Sequence, residues 1–257
     1  MRGRRIALSR ARRLVIDFLH FAAGVPTVPV QRRIKLQPVI EARAALTDRP
    51  AWTAIVVKAY ALVSAEMPEL RRAYCKLPWH HLYEFPTTVA SVVVERDYED
   101  EKAILIGRIK DPAALPLLEL TKRLRAFNET PVDDVKDFHR ALRMTRLPRP
   151  LRRALWWIGL NVGRQRARHF GTFGVSVYSA LGAESLHPLS PLTTILNYGV
   201  FSPAGEVDMR VVYDHRVMDG ATVARALARF EEVLTGPIVD ELKALASGVE
   251  VGVDRIA

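Results

Sequence analysis

Residues 211–221 read VVYDHRVMDGA and place His215 directly after Asp214, with Asp219 four positions further on. An ordinary imidazole titrates near pH ~6.5, so it can accept a proton from a thiol or an alcohol at neutral pH. Asp219 could brace the turn against an arginine or cap a helix that starts there. Gly220 allows a close backbone approach or an unusual dihedral, and Asp214 and Arg216 can set the local charge. On residue type alone, a polar corner between two elements is the commoner role for such a histidine.

The flanking elements decide whether such a base could be aimed. VDMRVVY alternates like a strand and leads into His215, while ATVARALARFEEVL leaves it with Val223, Leu227, Phe230 and Leu234 on one helical face. A strand, a tight turn and a helix make a rigid mount for an exposed imidazole. Elsewhere the spacing of Leu14, Phe18 and Phe21 predicts a helix ended by Gly24 and Pro26. VPTVPVQRRI reads as extended, QPVIEARAAL as a short helix and AWTAIVVKAYALVSAEM as a buried one. TTVASVVVERD and AILIGRI read as strands, residues 114–128 and 132–143 as helices, and GVSVYSALG and LTTILNYGV as strands. The order is mixed α/β or α+β, without internal repeats or a low-complexity linker, and residues 1–257 are expected to form a single domain.

Composition narrows the classes. The 257 residues are 49% hydrophobic and 26% charged, as in an ordinary globular protein. Cys75 is the one cysteine, which excludes an internal disulfide and any multi-cysteine metal site and suits a cytoplasmic location. No metal is expected: adjacent His80 and His81 point apart, and Glu84 nearby does not complete a ligand set. The formal charge of +10 is uneven. Residues 1–33 hold eight arginines against Asp17, and residues 138–183 hold nine with no acid. Such clusters attract phosphates, but no zinc finger, RNP-like pattern or recognition helix accompanies them, so nucleic acid is not an expected partner. The N-terminal segment carries Asp17 and His20 in its apolar stretch and is read as an amphipathic helix, not a signal peptide.

The pattern D-H-R-x-x-D-G-A, after a strand and before an apolar helix, resembles the active-site motif of the dihydrolipoamide acyltransferases of 2-oxo acid dehydrogenase complexes. It is similar also to the H-H-x-x-x-D-G motif of chloramphenicol acetyltransferases, with Asp214 in place of the first histidine. GVSVYSALG (174–182) resembles the family's G-x-x-x-x-S-x-L-G strand and turn, with Ser179 at its serine. PLTTILNYG (191–199), LSRARR (8–13) and PAWTAIVVKAYALVSAEMPELRRAY (50–74) are similar to further family stretches. The likeness is collinear over roughly residues 6 to 236 and thinnest between 100 and 170.

The resemblance implies a chloramphenicol acetyltransferase-like two-layer fold, a mixed β-sheet flanked by helices. It implies a coenzyme A-dependent acyltransferase that moves an acyl group from a thioester to a thiol or hydroxyl. His215 would be the general base, Ser179 the oxyanion donor with Ser176 as runner-up, and Asp219 the support, paired with Arg13 or its neighbour Arg12. Asp214 and Gly220 would complete the support. Acyl-CoA would be the substrate, and the sites would lie between subunits of a homotrimer or a multiple of trimers.

Three departures qualify it. No lipoyl or partner-binding domain is expected within residues 1–257, and DDVKD (133–137), the nearest approach to a lipoyl attachment site, falls in a helical context. Residues 144–170 form a basic, tryptophan-containing insertion with Trp156 and Trp157 at its middle. That segment packs its tryptophan face on the core, or lies at a membrane interface and marks a lipidic rather than a small-molecule acceptor. The rival readings are a catalytically inactive trimeric scaffold of the same fold and a membrane-peripheral binding module.

Overall fold

The computed structural model describes residues 1–247; residues 248–257, counted in the single-domain reading, lie outside the described residues. In chain order the elements are α1 (Arg10–Ala22), β1 (Thr27–Lys35), α2 (Gln37–Ala44), α3 (Trp52–Glu66), β2 (Arg72–Cys75), β3 (His81–Glu84), β4 (Val89–Tyr98) and β5 (Glu101–Lys110). They continue with α4 (Leu117–Glu129), α5 (Lys136–Met144), α6 (Arg149–Asn161), α7 (Gly163–His169), β6 (Phe173–Val175), β7 (Thr194–Tyr198), β8 (Glu206–Asp214), α8 (Gly220–Thr235) and α9 (Pro237–Ser247).

Six strands form one mixed sheet in the order β1-β8-β7-β6-β4-β5. β4, β6 and β7 are parallel, while β5, β8 and β1 pair antiparallel with their neighbours. Alternation along the strands gives the sheet two different faces. Val92, Leu105, Phe173, Leu196, Met209 and Tyr213 point to the face covered by α3, α4 and α8, and all are buried in one apolar cluster. The predicted face of α8, Val223, Leu227, Phe230 and Leu234, is part of the same cluster; at roughly 1.5–3 kcal/mol per buried side chain, this packing fixes the helix that follows the histidine turn.

The other face is only partly covered, by α1, α5, α6 and α7. Asp17, buried on α1, pairs with Arg152 of α6. Phe21 stacks on Trp156 at 5.9 Å, and Trp156 also meets Phe18 and Phe170. Residues 144–170 therefore hold two helices, α6 and α7, with Trp156 in the core and Trp157 partly exposed. No helix among the described residues is long and apolar enough to cross a membrane.

Two expectations change in detail. GVSVYSALG is strand only through Val175; beyond Ser176 the chain leaves the sheet and turns at Ser179–Leu181, with Gly182 at φ 72°. Gly236-Pro237, which reads in the sequence as the stop of the closing helix, ends α8 but does not end helical structure. Proline is tolerated in a first helical turn, whose N–H is unpaired anyway, and α9 starts there.

Candidate active site

β8 carries His215 to the end of the sheet. The His215 N–H donates to the Pro26 carbonyl at 3.0 Å, which extends the β1–β8 pairing by one residue beyond Thr27 and Asp214. The turn behind it is pinned by charge. Asp214 is completely buried and accepts from the Arg216 backbone N–H at 3.0 Å and from its guanidinium at 2.9 and 2.7 Å. The same guanidinium lies 4.5 Å over the Tyr74 ring, which ties the turn to β2. Arg166, buried nearby, donates to the carbonyls of Tyr74, Leu160 and Pro191, and burial lowers its pKa.

On this base the imidazole stands about half exposed. His215 Nδ1 lies 3.6 Å from Asp219 Oδ1, with side-chain exposures of 48% and 84%. That geometry leaves Nε2 to face a partner. Asp219 occupies the N-cap position of α8, yet its side chain makes no capping hydrogen bond. Gly220 opens the helix where a Cβ would come within 3.3 Å of the Tyr213 hydroxyl, so the tight approach of turn and strand needs the small residue.

The pairing expected between Asp219 and Arg13 is not made within the chain. Arg13 lies in the first turn of α1 and donates to the Leu8 carbonyl at 3.2 Å, beside a helix start anchored by Arg10 on Glu99 and Ser9 on Glu101. The chain reaches His215 only at Pro26, after the whole of α1. At 1.5 Å per residue the helix alone separates the two ends by more than about 13 Å.

Ser179 also stands apart from His215. Its hydroxyl bonds the phenol of Tyr198; burial raises the pKa of that phenol, and its bonds to Thr53 and Ser179 oppose the rise. Tyr198 lies opposite Met209, six positions before His215 on β8. At 3.3 Å per residue the serine and the histidine sit about 20 Å apart, at opposite ends of the sheet. Ser176, the runner-up, is buried, with its hydroxyl donating to the Tyr178 oxygen at 3.2 Å. After Ser179 the loop is clamped to the sheet: Glu184 accepts from Arg210 at 2.7 Å and from the Val200 N–H at 3.0 Å, and both bonds hold its carboxyl below the usual carboxylate range.

Tyr198 and the Glu184–Arg210 clamp were not singled out in the sequence, because nothing local marks a tyrosine at a strand end or an ion pair spanning two strands. His80 and His81 bond Tyr74 and the Trp79 carbonyl, and no group of metal-ligating side chains occurs among the described residues.

The mixed sheet with helices packed on both faces has the fold of the chloramphenicol acetyltransferases and the dihydrolipoamide acetyltransferase cores. The Azotobacter vinelandii dihydrolipoamide acetyltransferase, studied for the roles of a serine, a histidine and an asparagine in its catalytic mechanism, superposes with a TM-score of 0.70 at 18% identity, over 94% of each chain. The cubic core of a pyruvate dehydrogenase multienzyme complex matches with 0.66 at 16% identity over 94% of each chain. A chloramphenicol acetyltransferase matches with 0.52 at 12% identity, over 89% of this chain and 96% of its own. No family model matches the sequence, and no curated protein matches it.

Proposed function

We propose that the protein is a coenzyme A-dependent acyltransferase, one catalytic-type domain per chain, that works as a homotrimer or a multiple of trimers. The observation that carries this reading is the half-exposed imidazole of His215 on a turn pinned by the buried Asp214 carboxylate, in the fold of acyltransferase cores. Ser179 stands about 20 Å away along the sheet, so a second copy would bring its own serine to each histidine. The cubic core among the structural neighbours supports assembly from several copies.

In the proposed reaction His215 takes the proton of an acceptor thiol or hydroxyl as the acceptor attacks the thioester carbonyl. The Ser179 hydroxyl of a neighbouring copy donates to the tetrahedral oxyanion, the charge that such donors stabilise most. The carbon–sulfur bond to coenzyme A then breaks, and the imidazolium returns its proton to the departing thiolate. Asp219 keeps the imidazole oriented through Nδ1, the role offered by its 3.6 Å approach. Asp214, Arg216 and Gly220 hold the turn, and the basic runs at 1–33 and 138–183 supply charge for the phosphates of acyl-CoA.

The test is release of free coenzyme A from acetyl- and longer acyl-CoA with thiol acceptors. Wild type is expected to exceed His215→Ala by about 10²–10⁴-fold, the usual contribution of a general base. Equal inertness of the two while coenzyme A still binds would favour an inactive scaffold.

A second reading rests on α6. Leu151, Leu155, Trp157 and Ile158 are exposed on a helix that also carries Arg149 and Arg153, a composition suited to peripheral membrane contact. Sedimentation with anionic liposomes at low salt, lost at high salt, is the expected result if the helix docks there.

A further inference from the structure

The partly covered face of the sheet encloses a mostly apolar cleft of about 1180 Å³, somewhat larger than the roughly 300–1,000 Å³ usual for small-molecule sites. Its floor is the outer face of β5, β4, β6 and β7. Ile106, Val93 and Ile195 stand on it, and Gly174 contributes no side chain. A Cβ at Gly174 would come within 3.2 Å of Ile195, so the floor is open there because glycine leaves it open. Phe18 and Trp156 form one wall.

Three features point to an occupant. One side of the rim is apolar and unburied: Leu19, Leu155, Ile158 and Leu189 all line the cleft and remain exposed, while the α5 side carries Lys136, His139 and Arg140. Ser176 and Tyr178, also in the lining, lead directly into Ser179. The four floor strands lie about 4.8 Å apart, so the floor is about 14 Å across, room for an extended chain of roughly twelve carbons at an advance of about 1.25 Å per C–C bond.

We propose that the cleft binds an unbranched alkyl chain lying across the four strands, with its reactive end at the Ser179 turn. The proposal rests on the acyltransferase reading and names its substrate class: a fatty acyl donor or an acceptor with a fatty tail, rather than a short acyl group on a short thiol. The shared chemistry is the chain, whichever partner carries it.

Binding and transfer can be read apart. Equilibrium dialysis of butanoic, octanoic, dodecanoic and hexadecanoic acids against the full chain reads the cleft without any thioester. Affinity is expected to rise roughly fourfold per methylene buried, then level off at about twelve carbons. Ile106→Trp fills the floor from a half-exposed position and should move that plateau to shorter chains, with Tm unchanged. Leu155→Lys, at the exposed rim, is a second variant expected to weaken the longer chains. Kinetics then locate the chain. A rise of kcat/KM with acyl-CoA length at a fixed short thiol puts it on the donor; a rise with alkanethiol length at fixed acetyl-CoA puts it on the acceptor.

Absence of chain-length dependence in binding would overturn the proposal, as would an Ile106→Trp protein altered only in oligomeric state, which would make the cleft a surface for a second copy. Chain binding without transfer of any acyl group would sink the acyltransferase reading and leave the cleft standing. Transfer of short acyl groups without binding of any chain would do the reverse.

Discussion

The completely buried carboxylate of Asp214 is matched by Arg216, two residues on, through three hydrogen bonds of 2.7 to 3.0 Å. The histidine between them is thereby fixed by the ion pair on either side of it. A buried charge that loses its partner costs about 3–5 kcal/mol. Arg216→Ala is therefore expected to lower stability by an amount toward the lower end of that range, since Arg216 itself is partly exposed. In thermal unfolding Tm should fall, and acyl transfer, if measured below that Tm, should lose kcat more than it raises KM. Unchanged stability would mean that water replaces the guanidinium at Asp214.

The separation of Ser179 and His215 makes a complementation test decisive. Ser179→Ala and His215→Ala chains, each impaired alone, are expected to regain activity when unfolded together and refolded as mixed oligomers. With random mixing about one site in four would hold both native groups. No recovery above the sum of the separate variants would place both residues' work within one chain.

Glu184 carries a pH prediction. Its carboxyl is held below the usual carboxylate range first by Arg210 and then by the Val200 N–H. A depressed carboxylate contributes stability above its unfolded pKa, near ~4.3, and that contribution is lost as pH falls through the lower folded pKa. Wild type should thus exceed Glu184→Gln in Tm at neutral pH, with the difference shrinking as the solution is acidified below the ordinary glutamate range. A difference that is constant with pH would mean that packing, not charge, accounts for it.

Asp17 and Arg152 join α1 to α6 in a buried pair beside the cleft. Arg152→Met should cost about 3 kcal/mol, the low end of the range for a broken buried pair because Arg153 still faces the carboxylate at 3.6 Å, whereas the Asp17→Leu/Arg152→Met double variant should recover most of the loss. Equilibrium unfolding of the three proteins in urea checks both. A double variant no better than the single one would show that Arg152 matters chiefly for its bonds to the Thr145 and Leu147 carbonyls.

The histidine turn and its flanking elements were legible because period-two and period-3.6 patterns meet there without ambiguity, at VDMRVVY and at Val223, Leu227, Phe230 and Leu234. The resemblance carried by D-H-R-x-x-D-G-A led to the fold for the same reason: a short motif in its expected strand and helix context. Ser179 was legible as a residue but not as a position. Whether its strand continues past Val175 depends on the β6–β7 register, which no local pattern encodes. The pairing of Asp219 with Arg13 was not legible as a distance, because a motif names a partner without one and the length of α1 separates the two within the chain. The short ribbon of β2 and β3 escaped notice since four-residue strands carry too little periodicity. The cleft is the least legible feature, for its lining comes from many elements and it is shaped by what Gly174 lacks.

The β7–β8 pairing that holds Tyr198 and His215 in register also keeps the Ser179 turn and the histidine at opposite ends of the central sheet. No fluctuation of a folded chain supplies the missing half. Under the proposed mechanism specific activity is then a property of the population rather than of the molecule. A dilute solution is silent, a concentrated one turns over, and output rises more steeply than the amount of protein made.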